Sequence, residues 1–499
     1  MGGGFIELER QGIQNTFLIG NPQITFFKIV YKRFTNFAKE CIEEKFNKTI
    51  KSNELLSHNL TKTGDLVQEI YFNIKAQFEP IANNPIYGKY DITNIIEYVE
   101  IEIGGQKIDK HYSQWLDIYN ELFEKNYDNR FLLSKMEIYK SLLDYIYELD
   151  NTNSLISPIF ANNFQSKDFN ISMTTPIPSS INTCEFNITF ISTSIPSINF
   201  APTLKTNLND LINKIFKEHN LQITINSTTT LTTNIYKINI TSNDIYSVID
   251  LMEKLCNNPH KKERNYIIPL KFWFNKNAGL ALPLISLQYH TVKINIKIAD
   301  LININWGNCK INNNILDSSL LVNYIYLDTN EKKSFVENKH EYLIEQIQYI
   351  EPTIITNNII NKIELNFNHP IKGLFWTTDR GYVKSAELVL NGHDVFSEDG
   401  NYFHLVQPYE CDLGLSEKIL YINRTWNYVD NINNNNRTGM YSFSLKPNEY
   451  QPSGSCNFSK IKYANFNIIG ININKIYIYA LNYNILKIIN GMCNLTYLN

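Results

Sequence analysis
Chemistry in this chain would have to come from a few polar side chains that lie near one another in sequence. His393 and His404 stand close to Asp394, Glu398 and Asp399, donor types that can hold a divalent metal. Their spacing follows no ligand motif, and the polarity of a hairpin and its loop accounts for them. Glu100 and Glu102 are carboxylates two residues apart, so an extended chain presents them on one face. They read as the wet face of a strand rather than as an acid–base pair. No GxxxxGKS/T phosphate loop, HExxH, GxSxG or Rossmann glycine pattern occurs. The expectation is a protein that is not an enzyme, with no catalytic, cofactor-binding or metal-ligating residues. The 7 cysteines, Cys41, Cys184, Cys256, Cys309, Cys411, Cys456 and Cys493, are scattered and never in CxxC spacing. That usage fits reduced thiols rather than a zinc site or a disulfide framework. Among the Asn-X-Ser/Thr sequons, Asn226 and Asn239 are the candidate glycosylation positions.

The elements that position these residues are mostly strands. The 499 residues carry a net charge of −3 and 13% aromatic side chains. Asparagine, isoleucine and tyrosine are abundant. Runs rich in Ile, Tyr, Phe and Thr, separated by Asn, Gly and Pro turns, predict an all-β sandwich class. Strands are expected at Ile24–Tyr31, Leu66–Ala76, Ile95–Ile108 and Leu320–Leu327. Val99, Ile101 and Ile103 alternate with glutamates, and Gly104-Gly105 then supplies the positive φ angles of a two-residue hairpin. In Ile268–Ala299, Ile285, Leu287 and Tyr289 are apolar at odd positions, and Val292, Ile294, Ile296 and Ile298 at even ones. One bulged residue near His290 would produce that slip. Leu116, Tyr119, Leu122 and Phe123 share a helical face, and Leu132, Ile138, Leu142, Tyr145 and Ile146 predict a second helix. Asp328–Lys339 is a polar linker helix.

Residues 152–262 differ in character and read as a small α/β insert. Leu208, Leu211, Ile212 and Ile215 form one helical face. Strands follow at Leu221–Ile225 and Ile235–Ile240, then a helix with Ile245, Val248, Ile249 and Met252 inward. The remainder repeats. Asn391-Gly392, the strongest short hairpin signal, follows Gly104-Gly105 by 287 residues. Ile363–Phe367 echoes Ile70–Ile74. The phase slip recurs 174 residues on, at Ile461, Tyr463, Phe466 and Ile468. The two offsets differ by about the length of the insert. This predicts two related β domains, the first carrying an extra module.

Several of these stretches carry a resemblance. Gly20–Arg33 (GNPQITFFKIVYKR), Thr35-Asn36-Phe37-Ala38 and Asn277–Val292 (NAGLALPLISLQYHTV) are of this kind. So are LDTNEKKSF and HEYLIEQIQ within Tyr326–Gln348, and Leu365–Pro370 (LNFNHP). Leu390–Asp394 (LNGHD), Asn401–Tyr409 (NYFHLVQPY) and Phe443–Ser459 (FSLKPNEYQPSGSCNFS) complete the series. In this order they resemble the major capsid proteins of nucleocytoplasmic large DNA viruses, the iridovirus, chlorovirus and mimivirus-like group. Lys271 departs from that pattern, where a second proline is usual, and the insert is longer than in compact members.

The resemblance implies a mainly β fold of two consecutive eight-stranded antiparallel jelly rolls, with short helices and the α/β insert in the first. The expected organisation is an N-terminal arm at 1–20, a first roll at 21–330 with an outward insert at about 152–262, and a second roll at 331–499. It further implies a homotrimeric, pseudo-hexameric capsomer in an icosahedral virion shell, assembled in the host cytoplasm. Expected partners are further copies of the chain, minor capsid and penton proteins, and an inner membrane only indirectly. No direct nucleic-acid contact is expected, because residues 1–20 hold Arg10 as their one base beside Glu7 and Glu9. Nothing in MGGGFIELERQGIQ has the basic start and apolar core of a signal peptide. A minor or penton-like capsid component is the alternative. Alternatives of another class are a double jelly-roll glycan-acting amidase and a carbohydrate-binding protein.

Overall fold
The computed structural model of the chain describes residues 21–29, 32–46, 50–80, 88–123, 135–138, 169–173, 177–180, 183–192, 202–218, 221–226, 235–256, 264–302, 304, 309–311, 317–414 and 438–497. Sixteen of its strands form two sandwiches with the same chain path. In the first they are β1 (Phe37–Lys45), β2 (Leu55–Asn59), β3 (Leu66–Ala76), β4 (Ile96–Ile103), β5 (Gln106–Tyr112), β6 (Arg264–Pro269), β7 (Val292–Ile298) and β8 (Asp317–Leu327). One sheet runs β1-β8-β3-β6 and the other β2-β7-β4-β5, with antiparallel neighbours throughout. The second sandwich contains β9 (His340–Ile354), β10 (Ile360–Glu364), β11 (Pro370–Thr378), β12 (Tyr382–Leu390), β13 (His393–Asp399), β14 (Thr438–Ser442), β15 (Ala464–Ile471) and β16 (Lys475–Ile489). Its sheets run β9-β16-β11-β14 and β10-β15-β12-β13. Each strand number is its counterpart's plus eight, so the chain is a double jelly roll.

Alternation explains why these segments pair as they do. In β7, Val292, Ile294, Ile296 and Ile298 are buried while Lys293 and Lys297 are half-exposed. Val99, Ile101 and Ile103 of β4 meet them in register and are equally buried. The opposite sheet supplies Ile70, Phe72 and Ile74 to the same core. In the second roll Leu374, Trp376, Leu388, Phe466 and Ile468 do the equivalent work, with Trp376 against Phe466 at 5.0 Å and Phe403 at 5.4 Å. Removing such an apolar set from water is the main favourable term for each roll.

Both tight turns have left-handed backbone at both central positions: φ is 58° and 83° at Gly104 and Gly105, and 51° and 84° at Asn391 and Gly392. Each joins the fourth and fifth strands of its roll. The 174-residue repeat is a whole block. Leu282–Pro283 and Cys456–Asn457 are short strands, Leu284–Ser286 and Phe458–Lys460 are 3-10 turns, and β7 and β15 follow. The phase slip is therefore not a bulge. The Ile285 N–H donates to Asp65 O and the Leu287 N–H to Leu284 O, so the backbone turns here, and the strand begins only at Val292.

Three other expectations are corrected. The Ile24 segment is not a strand: residues 21–29 and 32–36 are irregular and exposed, and the first strand starts at Phe37. Its apolar residues have no sheet to cover them, so periodicity alone misleads. Ile363–Phe367 is not the counterpart of Ile70–Ile74. Ile363 lies in β10, the equivalent of β2, whereas β3 corresponds to β11. Ile138 belongs to a strand, Lys135–Ile138, paired with Gly88–Asp91, while Leu132, Leu142, Tyr145 and Ile146 lie outside the described residues. The linker helix is Thr329–Glu337, and the Asp328 carboxylate accepts from the Thr329 N–H at its start.

The insert folds around its own sheet. Phe169–Met173, Ile177–Ser180, Thr183–Ser192, Ile223–Asn226 and Ile235–Ser242 pair among themselves. Helices Pro202–Glu218 and Ile245–Cys256 bury Ile212, Ile215, Phe216, Val248 and Met252. The three earlier strands were not foreseen, because their Ser, Thr and Asn content masks the alternation that buries Cys184 and Phe186. The insert and α-helix Ser113–Leu122 both belong to the connection from β5 to β6.

The rolls are joined along a seam between β5 and β9. The Asp109 carboxylate accepts the N–H groups of Lys110 at 2.9 Å and Ile347 at 3.0 Å and meets the His111 ring at 2.8 Å. Gln346 donates to Ile108 O. Beside them Glu345 of β9 holds Lys276 of the first roll at 2.6 Å and Lys372 of β11 at 2.5 Å. The helix Ser113–Leu122 crosses the seam, setting Trp115 5.5 Å from Phe375 and 5.8 Å from Tyr479. Lys271, the departure from the expected proline, sits 5.2 Å from the Tyr119 ring of that helix.

Two predictions follow from this packing. Burial pushes the Glu345 carboxyl up, but the two lysines outweigh it and hold the group below its ordinary value of 4.5. A depressed carboxyl contributes stability that is complete above that value and is lost as pH falls through the folded-state pKa. Glu345→Gln should cost about 3–5 kcal/mol near neutral pH in chemical denaturation and flatten the loss below the ordinary value. The second concerns Gly104, where an added Cβ would lie 2.4 Å from His290 Nδ1, a ring already fixed by the Cys493 N–H. Gly104→Ala should cost roughly 1–3 kcal/mol. Gly105→Ala, with nothing within 4 Å, should cost about 1 kcal/mol for the backbone alone; equal losses would count against the contact.

Candidate functional site
The residues with chemical potential do not converge. His404 is buried, with Nδ1 against Thr438 O, and burial lowers its pKa. His393, Asp394, Glu398 and Asp399 are exposed on or beside β13. Among the described residues no group of three His, Cys, Asp or Glu side chains is placed to hold a metal. Glu100 is not on a wet face. It is buried, accepting from Asn295 Nδ2 at 3.1 Å and pairing with Lys107 at 2.9 Å. Its neighbour Glu102 is half-exposed. The pair therefore fastens β4 to β7 and β5 rather than facing a cleft.

Cys41, Cys184, Cys411, Cys456 and Cys493 are free thiols; the side chains of Cys256 and Cys309 lie outside the described residues. Burial pushes the Cys493 thiol up to about 12, which leaves it an inert packing residue. Asn226 closes the edge strand of the insert sheet and is in register with Asn239 on the next strand inward, where Asn239 is half-buried.

What the structure does present is surface organised by the two rolls. Strand register defines their ends. Ile103 lies opposite Val292, Asn59 opposite Lys293, and Leu66 opposite Ile325. Thus the β2–β3 loop, the Gly104-Gly105 turn and the loop before β7 share one end, and Phe37, paired with Leu327, brings the segment just before β1 there too. At the other end Arg264 lies opposite Ala76 and Tyr112 opposite Tyr98, so the insert departs from that side. The rolls lie side by side with like ends together: the Tyr289 N–H donates to Gly491 O at 3.1 Å, and the Cys493 N–H to His290 Nδ1 at 3.1 Å. These contacts and the arm segment were not foreseen. The signal lies in the cluster of apolar residues after Gly20, whose composition reads as a strand but which the fold leaves exposed.

The likenesses to known proteins agree with this architecture. A family model described as "Major capsid protein N-terminus" matches residues 25–174 and 179–328. The chain is 32% identical to the major capsid protein of Pyramimonas orientalis virus, with all of both chains covered. It is 27% identical to that of Paramecium bursaria Chlorella virus 1, again over all of both chains. Among solved structures, PBCV-1 VP54, fitted into a reconstruction of the virophage Sputnik, superposes with a TM-score of 0.61 at 25% identity. That match covers 95% of this chain and 100% of the other. The Faustovirus major capsid protein shares the fold at a TM-score of 0.55 and 9% identity, covering 96% and 94%. With the paired jelly rolls, their shared strand order and full-length likeness to capsid subunits all in agreement, the chain belongs to the major capsid protein family of the nucleocytoplasmic large DNA viruses.

Proposed function
We propose that the protein builds the icosahedral shell of a large DNA virus as a homotrimeric capsomer, assembled in the host cytoplasm. The observation that carries this is the repeat of one eight-strand topology within a chain related to capsid subunits over its full length. Two alike rolls per chain and three chains per ring give six similar edges, so a threefold block tiles a hexagonal lattice. The subunit is a structural element rather than a catalyst, and minor capsid and penton proteins are its further partners.

Residues 1–20 act as an arm, 21–330 as the first unit and 331–499 as the second, with the module at about 152–262 outward. Its departure from the end opposite the arm supports that orientation, and loops at one end of a roll lengthen without disturbing the sheets. Asn226, on the edge strand of the insert sheet, and Asn239, half-buried on the next strand, are the candidate sequons of the outward module.

Purified protein should sediment at three times the chain mass of 58.1 kDa, with an interface on the order of 2,000 Å² or more. A stable monomer at micromolar concentration would refute the capsomer. In purified virions the chain should be the dominant band; a trace amount would favour a minor or penton role. Limited proteolysis of the trimer should cut first within 152–262, and protection of that module would argue against its outward position.

A further inference from the structure
The arm between Gly20 and β1 is the largest departure from ordinary surface chemistry in the described chain. Ile24 is 73% exposed, Phe26 87%, Phe27 98%, Ile29 95% and Phe34 85%. Single exposed apolar residues need no explanation, but a continuous run of this size marks a surface that something covers. The run is also charged in one sense. Residues 11–39 contain Lys28, Lys32, Arg33 and Lys39 and no aspartate or glutamate, in a chain whose net charge is −3.

The end of the rolls from which the arm emerges has similar chemistry. Tyr289, before β7, is 75% exposed, and its counterpart Tyr463, before β15, is 68% exposed. Exposed Lys460 and Lys462 stand beside Tyr463, and exposed Lys62 lies on the neighbouring loop. Acids stand at this end too: Glu449, paired with Lys446 at 3.0 Å, Asp394 in the turn region of β13, and exposed Asp328, Glu337 and Glu341 on the connection from β8 into β9. An anionic lipid surface offers the complement: phosphate and carboxylate headgroups for the bases, and a shallow apolar layer for the phenylalanines. Basic residues interleaved with aromatic and aliphatic ones are the signature of segments that lie in a bilayer interface, and tyrosines favour that depth.

We propose that residues 21–29 and 32–37, with the turn end of both rolls, bind an anionic membrane surface directly. The arm lies along the headgroups with Phe26, Phe27 and Phe34 inserted and Lys28, Lys32 and Arg33 in the charged layer. This goes beyond the capsomer reading and does not depend on it, because arm and turn end share one side in the single chain.

The test is flotation of the full-length protein with vesicles of phosphatidylcholine alone or with equal parts phosphatidylserine. Oligomeric state is measured on the same samples by light scattering. The protein should float with the anionic vesicles, remain behind with the neutral ones, and lose binding as salt rises. Phe26→Ser/Phe27→Ser and Lys28→Glu/Lys32→Glu/Arg33→Glu should each reduce the bound fraction about tenfold or more. Both change an irregular segment outside the two cores, so the unfolding midpoint should stay unchanged. Absence of flotation by folded wild-type protein overturns the proposal, as does equal flotation with neutral vesicles or by the variants. A serine variant that breaks the oligomer while still binding vesicles would assign the arm to contacts between copies and also overturn it. Failure of the trimer alone, with flotation intact, would strike the capsomer reading and leave the lipid contact standing.

Discussion
The two rolls act as one body because of the seam between β5 and β9, and that seam depends on buried charge that is fully engaged. Lys372 has no exposed surface, and an ammonium in that position is tolerable only with a carboxylate beside it. Glu345 provides it, and the same carboxylate reaches Lys276 of the first roll. Asp109 ties the backbone of β9 to β5 by accepting the Ile347 N–H. Hydrophobic contact alone would let two sandwiches slide. Directional bonds at fixed positions along both strands set the register in which Trp115 meets Phe375 and Tyr479.

With that register set, the rolls stand side by side with like ends together. The consequence is a subunit with two chemically distinct ends. The end bearing the insert carries a module with its own sheet and two helices that each bury one face, which can vary without touching the seam. The turn end is built from short connections, and its geometry is exacting. Gly104 leaves room for His290, and His290 in turn receives the Cys493 N–H of the second roll.

Much of this was legible in the residues. Period-two burial in β4 and β7, the paired glycines and the Asn-Gly turn are local properties, and each was read from a few side chains. The two offsets, 287 and 174, located the extra module in the β5–β6 connection because a duplicated topology keeps its spacing except where chain has been added. The errors share one cause. Ile24–Tyr31 has strand-like residues, yet what makes a strand is a partner, and residues 24–29 have none among the described residues. Residues 284–291 alternate like a strand, yet the N–H groups of Ile285, Leu287 and Tyr289 go to the carbonyls of Asp65, Leu284 and Gly491 rather than to one partner strand. Glu100 looks solvated in an alternating pattern, but Lys107 and Asn295 cover it from adjacent strands.

By itself, then, the sequence determined the fold class, the hairpin corners and the repetition, since these follow from side-chain period and from backbone angles that few residues adopt. Only the tertiary structure decided which distant groups meet: Glu345 with Lys276 and Lys372, Asp109 with Ile347, the Gly104 turn with His290. It also decided which end the arm and the insert leave from. Those are properties of strand register and sheet order, where a shift of one strand changes every neighbour while leaving the local pattern intact.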